Sequence, residues 1–231
     1  MKIKIEQPDM MAELFIDKQQ EGITEFWIPP MSVEEYLNKA KITSNLDEKR
    51  EALESVILYY RSKTIATSGC YTENLCEELV EILKSFTSVP LFKDEVAGLL
   101  LGEGAYCEQA RDYKNGVIFY SACVAVSFED KQNKYFSLNN LGFCLNFVRR
   151  FDEAEKVLRQ AIAFDPERYN ALKNLGVSLE WQGQYEEAAE CYLKAYNVSG
   201  GEPRSHLHLK RILDRYPTLK KMPCFQENRV E

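Results

Sequence analysis

Residues 135–168 read YFSLNNLGFCLNFVRRFDEAEKVLRQAIAFDPER, and residues 169–202 read YNALKNLGVSLEWQGQYEEAAECYLKAYNVSGGE. Leu141-Gly142 in the first stretch returns as Leu175-Gly176 in the second, 34 residues on; Ala154 returns as Ala188, Ala161 as Ala195 and Phe151 as Tyr185 at the same interval. One interval at four separate places marks an internal repeat, and 34 residues is the length of a pair of antiparallel helices. In the first unit Leu138, Leu141, Leu145 and Val148 lie at helical spacing on one face. Gly142 falls where the following helix must approach closely. Arg149-Arg150-Phe151-Asp152 then makes a polar turn into a second stripe, Ala154, Val157, Leu158, Ala161 and Ile162. Asp165-Pro166 stops that helix, since proline cannot continue it. The second unit repeats the plan with Leu172, Leu175, Gly176 and Leu179, a turn at Gln182-Gly183-Gln184, and then Ala188, Ala189, Tyr192 and Ala195.

Upstream of these units Tyr113, Gly116, Tyr120 and Cys123 match Phe151, Ala154, Leu158 and Ala161 at an interval of 38, and Gly104 matches Gly142 at the same interval. Residues 97–134 therefore read as a weaker repeat, with the four extra residues expected in the loop 129–134. Residues 32–96 read as a helical region, either a degenerate repeat or a packing cap. Asn45 or Ser44 can cap one helix carrying Leu53, Val56, Ile57 and Tyr60. Thr72 can cap another carrying Leu75, Leu79, Ile82, Leu83 and Phe86, ended by Val89-Pro90. Downstream, residues 203–216 (Leu207, Leu209, Ile212, Leu213) read as a helix capping the last hydrophobic face, which a terminal repeat needs. Residues 217–231 are expected to form an irregular tail. Residues 1–31 read as an arm, apolar and proline-rich at Glu25-Phe26-Trp27-Ile28-Pro29-Pro30. It either packs on the first helices or lies in a groove of this chain or of a second copy.

The two 34-residue units (135–168 and 169–202) resemble the tetratricopeptide repeat family. The first supplies Leu138, Leu141-Gly142, Leu145, Ala154, Leu158, Ala161 and Pro166, and the second Leu172, Leu175-Gly176, Leu179, Ala188, Tyr192 and Ala195. The second departs at its last slot, where Gly200 stands for proline and Pro203 follows, and neither has the tryptophan of the first slot. The resemblance implies an all-α fold, a right-handed superhelix (α-solenoid) of antiparallel helix pairs. It implies a protein–protein interaction scaffold or adaptor rather than an enzyme, holding an extended peptide or helix of another protein in a concave groove lined by the first helix of each pair. The residues placed there are Phe136, Asn139, Asn140, Phe143 and Phe147 in the first unit and Lys173, Asn174, Val177 and Trp181 in the second. Asn140 and Asn174 each precede the Leu-Gly pair, and an amide suits the main chain of an extended peptide; the same position also suits packing between repeats. Phe143, Phe147 and Trp181 are aromatics of the kind that anchor binding hot spots, or else they pack against a neighbouring helix or the arm. Other readings are a secretion-type chaperone for an unstable client and a homodimeric assembly module. The family's basic groove, which clamps the carboxylate of chaperone tails, needs Lys and Arg where this chain has Leu101, Asn140, Asn170 and Asn174. With only Lys173 basic nearby, that role is not expected.

Composition bounds the rest. The net charge is −7 and no basic block rises above it, so nucleic acid is not an expected partner. No window approaches the 18 apolar residues of a membrane span, and the first residues lack the apolar core of a signal peptide. Seven cysteines, widely spaced and without C-x-x-C, fit a reducing, cytoplasmic setting in which several serve as small hydrophobes. His206 and His208 are the only histidines; two apart on a helix, they point about 200° from each other and cannot share a metal. No nucleophile motif is present, and Gly102-Glu103-Gly104 lacks the third glycine of a dinucleotide fingerprint. No catalytic residue, metal or cofactor is expected.

Overall fold

The computed structural model describes residues 31–64, 70–88, 90–126 and 129–227, without the Leu91 side chain, so the expected N-terminal arm lies outside the described residues except for Met31. The chain divides into two compact units, one ending at Leu75 and one beginning at Cys76. In the first, α1 (Val33–Ile42) packs on α2 (Leu46–Thr64). A capping box starts α1: the Glu35 amide donates to Ser32 Oγ (3.2 Å), and the Ser32 amide donates to the Glu35 carboxylate (2.7 Å), which satisfies two backbone donors at once. Asn45 starts α2, its Oδ1 accepting from the Asp47 amide at 2.9 Å. That helix buries Leu53, Val56, Ile57 and Tyr60, the stripe expected of it. Helix α3 (Glu73–Ser85) crosses the division and buries Leu79 and Leu83.

The second unit continues through α4 (Lys93–Gln109), α5 (Tyr113–Ala125), α6 (Lys131–Phe147), α7 (Phe151–Phe164), α8 (Tyr169–Trp181), α9 (Tyr185–Val198) and α10 (Pro203–Arg215). Each of these helices packs against the next, and the first helices α4, α6, α8 and α10 also touch in succession. They form one layer, against which α5, α7 and α9 are laid. The core holds Leu138, Leu141, Leu145, Leu158, Leu175, Leu179 and Tyr192. Among the described residues there is no strand. This is the all-α solenoid of antiparallel helix pairs that the repeat implies.

Three glycines explain why the pairs close so tightly. A methyl group on Gly104 would come within 2.5 Å of the Tyr120 ring, one on Gly176 within 2.5 Å of the Tyr192 ring, and one on Gly142 would strike Leu158. In each pair the large residue lies 16 positions after the glycine. The turns repeat as well. Arg111 (φ 58°), Arg149 (φ 64°) and Gly183 (φ 80°) hold one left-handed turn position. The amide after each donates to the carbonyl five residues back, Asp112 to Cys107, Arg150 to Leu145 and Gln184 to Leu179, at 2.8–2.9 Å, closing the helix by the Schellman pattern.

Two details differ from the sequence reading. The four extra residues of the weaker unit do not lengthen a loop; they add a turn at the start of α6, which has 17 residues against 13 in α8. Asp130 makes this possible, its carboxylate accepting from the Asn133 amide at 2.7 Å, a good N-cap that lets the helix begin early. The stretch after Tyr216 is helical rather than irregular: a 3₁₀ segment, Pro217–Lys221, precedes α11 (Pro223–Glu227). Leu219 is buried and Phe225 packs against the core, which supplies the burial that orders this segment.

Candidate functional site

All nine residues read from the sequence as partner-binding lie on two neighbouring first helices, Phe136, Asn139, Asn140, Phe143 and Phe147 on α6 and Lys173, Asn174, Val177 and Trp181 on α8. Their environments differ sharply. Phe136, Phe143 and Val177 are half-buried and rest on the core. Asn139 and Asn174 are closed in, at 8% and 5% exposure, whereas Asn140 remains half-exposed.

The asparagines bond to one another. Asn174 Nδ2 donates to Asn139 Oδ1 (3.1 Å), Asn139 Nδ2 to Asn140 Oδ1 (2.9 Å), Asn140 Nδ2 to the Tyr120 hydroxyl (3.3 Å), and that hydroxyl to Glu108 (3.0 Å). One string of side chains thus runs across α8, α6, α5 and α4. Beside it Asn146 donates to the Asn174 carbonyl (2.9 Å), and Ser178 Oγ donates to Asn146 Oδ1 (2.7 Å). A buried amide left unbonded costs free energy, and this network satisfies the amides between repeats. Asn139, Asn146 and Ser178 carry as much of it as the two asparagines that the Leu-Gly motif singles out.

Phe147 and Trp181, 53% and 62% exposed, occupy one register position in successive repeats, and each has a ring partner. Phe147 stacks on Tyr113 at 4.0 Å between centroids, and Trp181 lies parallel to Phe151 at 5.6 Å with the Arg149 guanidinium 5.2 Å from its ring. Tyr185 and Tyr216 stack at 4.0 Å at the next junction. Tyr113, Phe151 and Tyr185 each open a second helix, a recurrence visible in the 38- and 34-residue intervals. Each holds the end of the next first helix through its ring face.

The charged groups divide along the layer. At the α4 end Glu108 is half-buried, and burial raises its pKa against the lowering effect of the Tyr120 hydroxyl. Between α8 and α10 lie Lys173, Arg204, His208 and Arg211. Arg211 is bound to Glu180 at 2.7 Å, and His208 stacks on Tyr192 at 5.1 Å. Lys173 makes no hydrogen bond or ion pair among the described residues. Burial first, and then Arg204, lower its pKa, with the Glu202 charge opposing. Burial also pushes the thiols of Cys123 and Cys191 up to about 12, so at neutral pH both are protonated core residues rather than nucleophiles. Among the described residues no group of three or more His, Cys, Asp or Glu side chains gathers as a metal site would. No described helix is long and apolar enough to cross a membrane.

Comparison with known proteins agrees with this architecture. Models of the tetratricopeptide repeat match residues 137–168 and 169–199. Among solved structures, MamA from Desulfovibrio magneticus is 18% identical over 79% of this chain and 94% of its own, with a TM-score of 0.52. The C-terminal tetratricopeptide domain of an FK506-binding protein from Plasmodium falciparum is also 18% identical, over 56% of this chain and 94% of its own, with a TM-score of 0.50. At such identities the likeness concerns the fold. No curated protein matches the chain. Two matched repeats with their glycine contacts identify residues 137–199 as tetratricopeptide repeats, a type of repeat that serves as a protein-interaction module.

Proposed function

We propose that the chain is a protein-interaction scaffold that receives an extended peptide or a helix of another protein on the layer formed by α4, α6, α8 and α10. Stacked helix pairs present such a layer as a continuous binding surface. In this reading residues 97–134 are a third, weaker repeat, since Gly104 meets Tyr120 as Gly176 meets Tyr192. The observation that carries the proposal is Lys173. A half-buried ammonium without a bonded acceptor is costly to maintain in a folded chain; Arg204 nearby adds to its cost and Glu202 offsets part of it. A partner's carboxylate or main-chain carbonyl would relieve it. Phe136, Asn140, Phe143 and Val177, half-buried on the same layer, would supply apolar contact and one amide.

Charge reversal tests this. A protein that co-purifies with the wild-type chain should be lost from Lys173→Glu, with folding confirmed by circular dichroism. It should be retained by Lys156→Glu, which changes an exposed residue of α7. Equal retention by both variants would sink the proposal.

A further inference from the structure

The repeat supplies its own standard for comparison. Leu209, Ile212 and Leu213 are buried in α10 as Leu175 and Leu179 are in α8, so α10 follows the register of α8 at 34 residues. One junction site then recurs three times. At the last, Glu180 accepts from the Tyr192 hydroxyl (2.9 Å) and from the Arg211 guanidinium (2.7 Å), beside His208. At the middle one Leu158 replaces the tyrosine and Asn146 the glutamate, and Asn146 turns to the Asn174 carbonyl instead. At the first, Glu108 again accepts from a tyrosine, Tyr120 (3.0 Å), with Asn140 in the place of His208. Its register position for the cation holds Phe143, and Glu108 has no cationic partner among the described residues. Phe143 stands edge-on to Tyr113 (6.0 Å) and to Phe147 (4.8 Å).

From this juxtaposition we infer that Glu108, with Asn140 and the ring face of Phe143, receives an arginine side chain of the bound partner, in the geometry that Arg211 already shows at Glu180. The inference rests on the proposed interaction layer and names one residue type of its ligand. A guanidinium suits the place on two counts: it pairs with a carboxylate through directed hydrogen bonds, and it lies well against aromatic rings. The tyrosine hydroxyl leaves carboxylate lone pairs over, so Glu108 can accept from both, as Glu180 does. Burial that raises the Glu108 pKa makes an arriving cation worth more, because an opposite charge restores the ionised form.

The probe is acetyl-arginine methylamide, titrated into the isotope-labelled full chain and followed by nuclear magnetic resonance, with the neutral citrulline compound as control. The Asn140 side-chain amide and the Phe143 backbone amide should shift saturably with the arginine compound and not with citrulline. Glu108→Gln should weaken the response roughly tenfold or more, as expected for one lost charge-assisted hydrogen bond. Phe143→Arg is the second variant; it places a built-in guanidinium at the register position of Arg211 and should abolish the response while the remaining spectrum stays dispersed. An equal citrulline response, shifts confined to other residues, an undiminished response in both variants or no shift at all would overturn the inference. If the probe fails while Lys173→Glu still loses the co-purifying protein, the arginine is wrong and the interaction layer stands; if both fail, neither reading holds.

Discussion

Asn174→Ala separates a structural asparagine from one held ready for a ligand. Its side chain is 5% exposed and donates to Asn139 Oδ1 at 3.1 Å. The substitution removes that donor and strands an acceptor on Asn139, itself 8% exposed. Stranding a buried polar group costs about 1–3 kcal/mol, and the truncated side chain also leaves a small void, so the expected loss is about 2 kcal/mol. The Asn146 and Ser178 contacts to the Asn174 carbonyl are to main chain and survive the change. Urea unfolding followed by circular dichroism measures the effect, which should lower the midpoint without altering the slope. A double-mutant cycle with Asn139→Ala should return a coupling of about 1 kcal/mol, because the second truncation removes the stranded group. A loss within about 0.5 kcal/mol, the range of surface positions, would refute the inter-repeat role and return Asn174 to the ligand.

Gly176→Ala should cost about 1–3 kcal/mol by overpacking, since the new methyl meets the Tyr192 ring within 2.5 Å in a buried site that cannot yield; thermal unfolding reads this. Arg111→Gly should stabilise by about 0.5–1 kcal/mol, the relief of left-handed strain at φ 58° less the entropy glycine adds to the unfolded chain. Burial first, then Arg211 and Lys173, hold His208 below the ordinary imidazole value, with Glu180 and Glu202 opposing. The unfolded chain therefore binds a proton that the folded chain resists. Stability should fall as pH drops through about 6.5, and His208→Gln should flatten that slope in urea midpoints measured between pH 5 and pH 8.

The repeat was legible because its small residues are obligatory: Gly142 and Gly176 sit under Leu158 and Tyr192, so close packing writes the period into the sequence. Helix α1 was within reach, since Ser32 and Glu35 have capping-box spacing, but its buried residues, Tyr36 and Ala40, are too few to show a period. The extra turn of α6 was not legible from length, because four residues fit a loop as well as a turn; the Asp130 cap decides it. Among the nine candidate residues the period places every one on the first-helix layer. It does not say which are covered. Whether Asn174 faces a groove or Asn139 depends on how α8 is rotated against α6, a property of the helix pair. Likewise the partners of Phe147 and Trp181, Tyr113 and Phe151, come from a neighbouring helix pair, beyond the spacing within one.

Photo-crosslinking shows most directly whether a partner lies on the first-helix layer. A photoreactive residue placed at Val177 or Phe136, half-buried on α8 and α6, is compared with one at Glu190 or Gln160, exposed on α9 and α7. Adducts with another protein are expected from Val177 and Phe136 and none from Glu190 or Gln160. Adducts only from Glu190 and Gln160 would contradict binding on that layer.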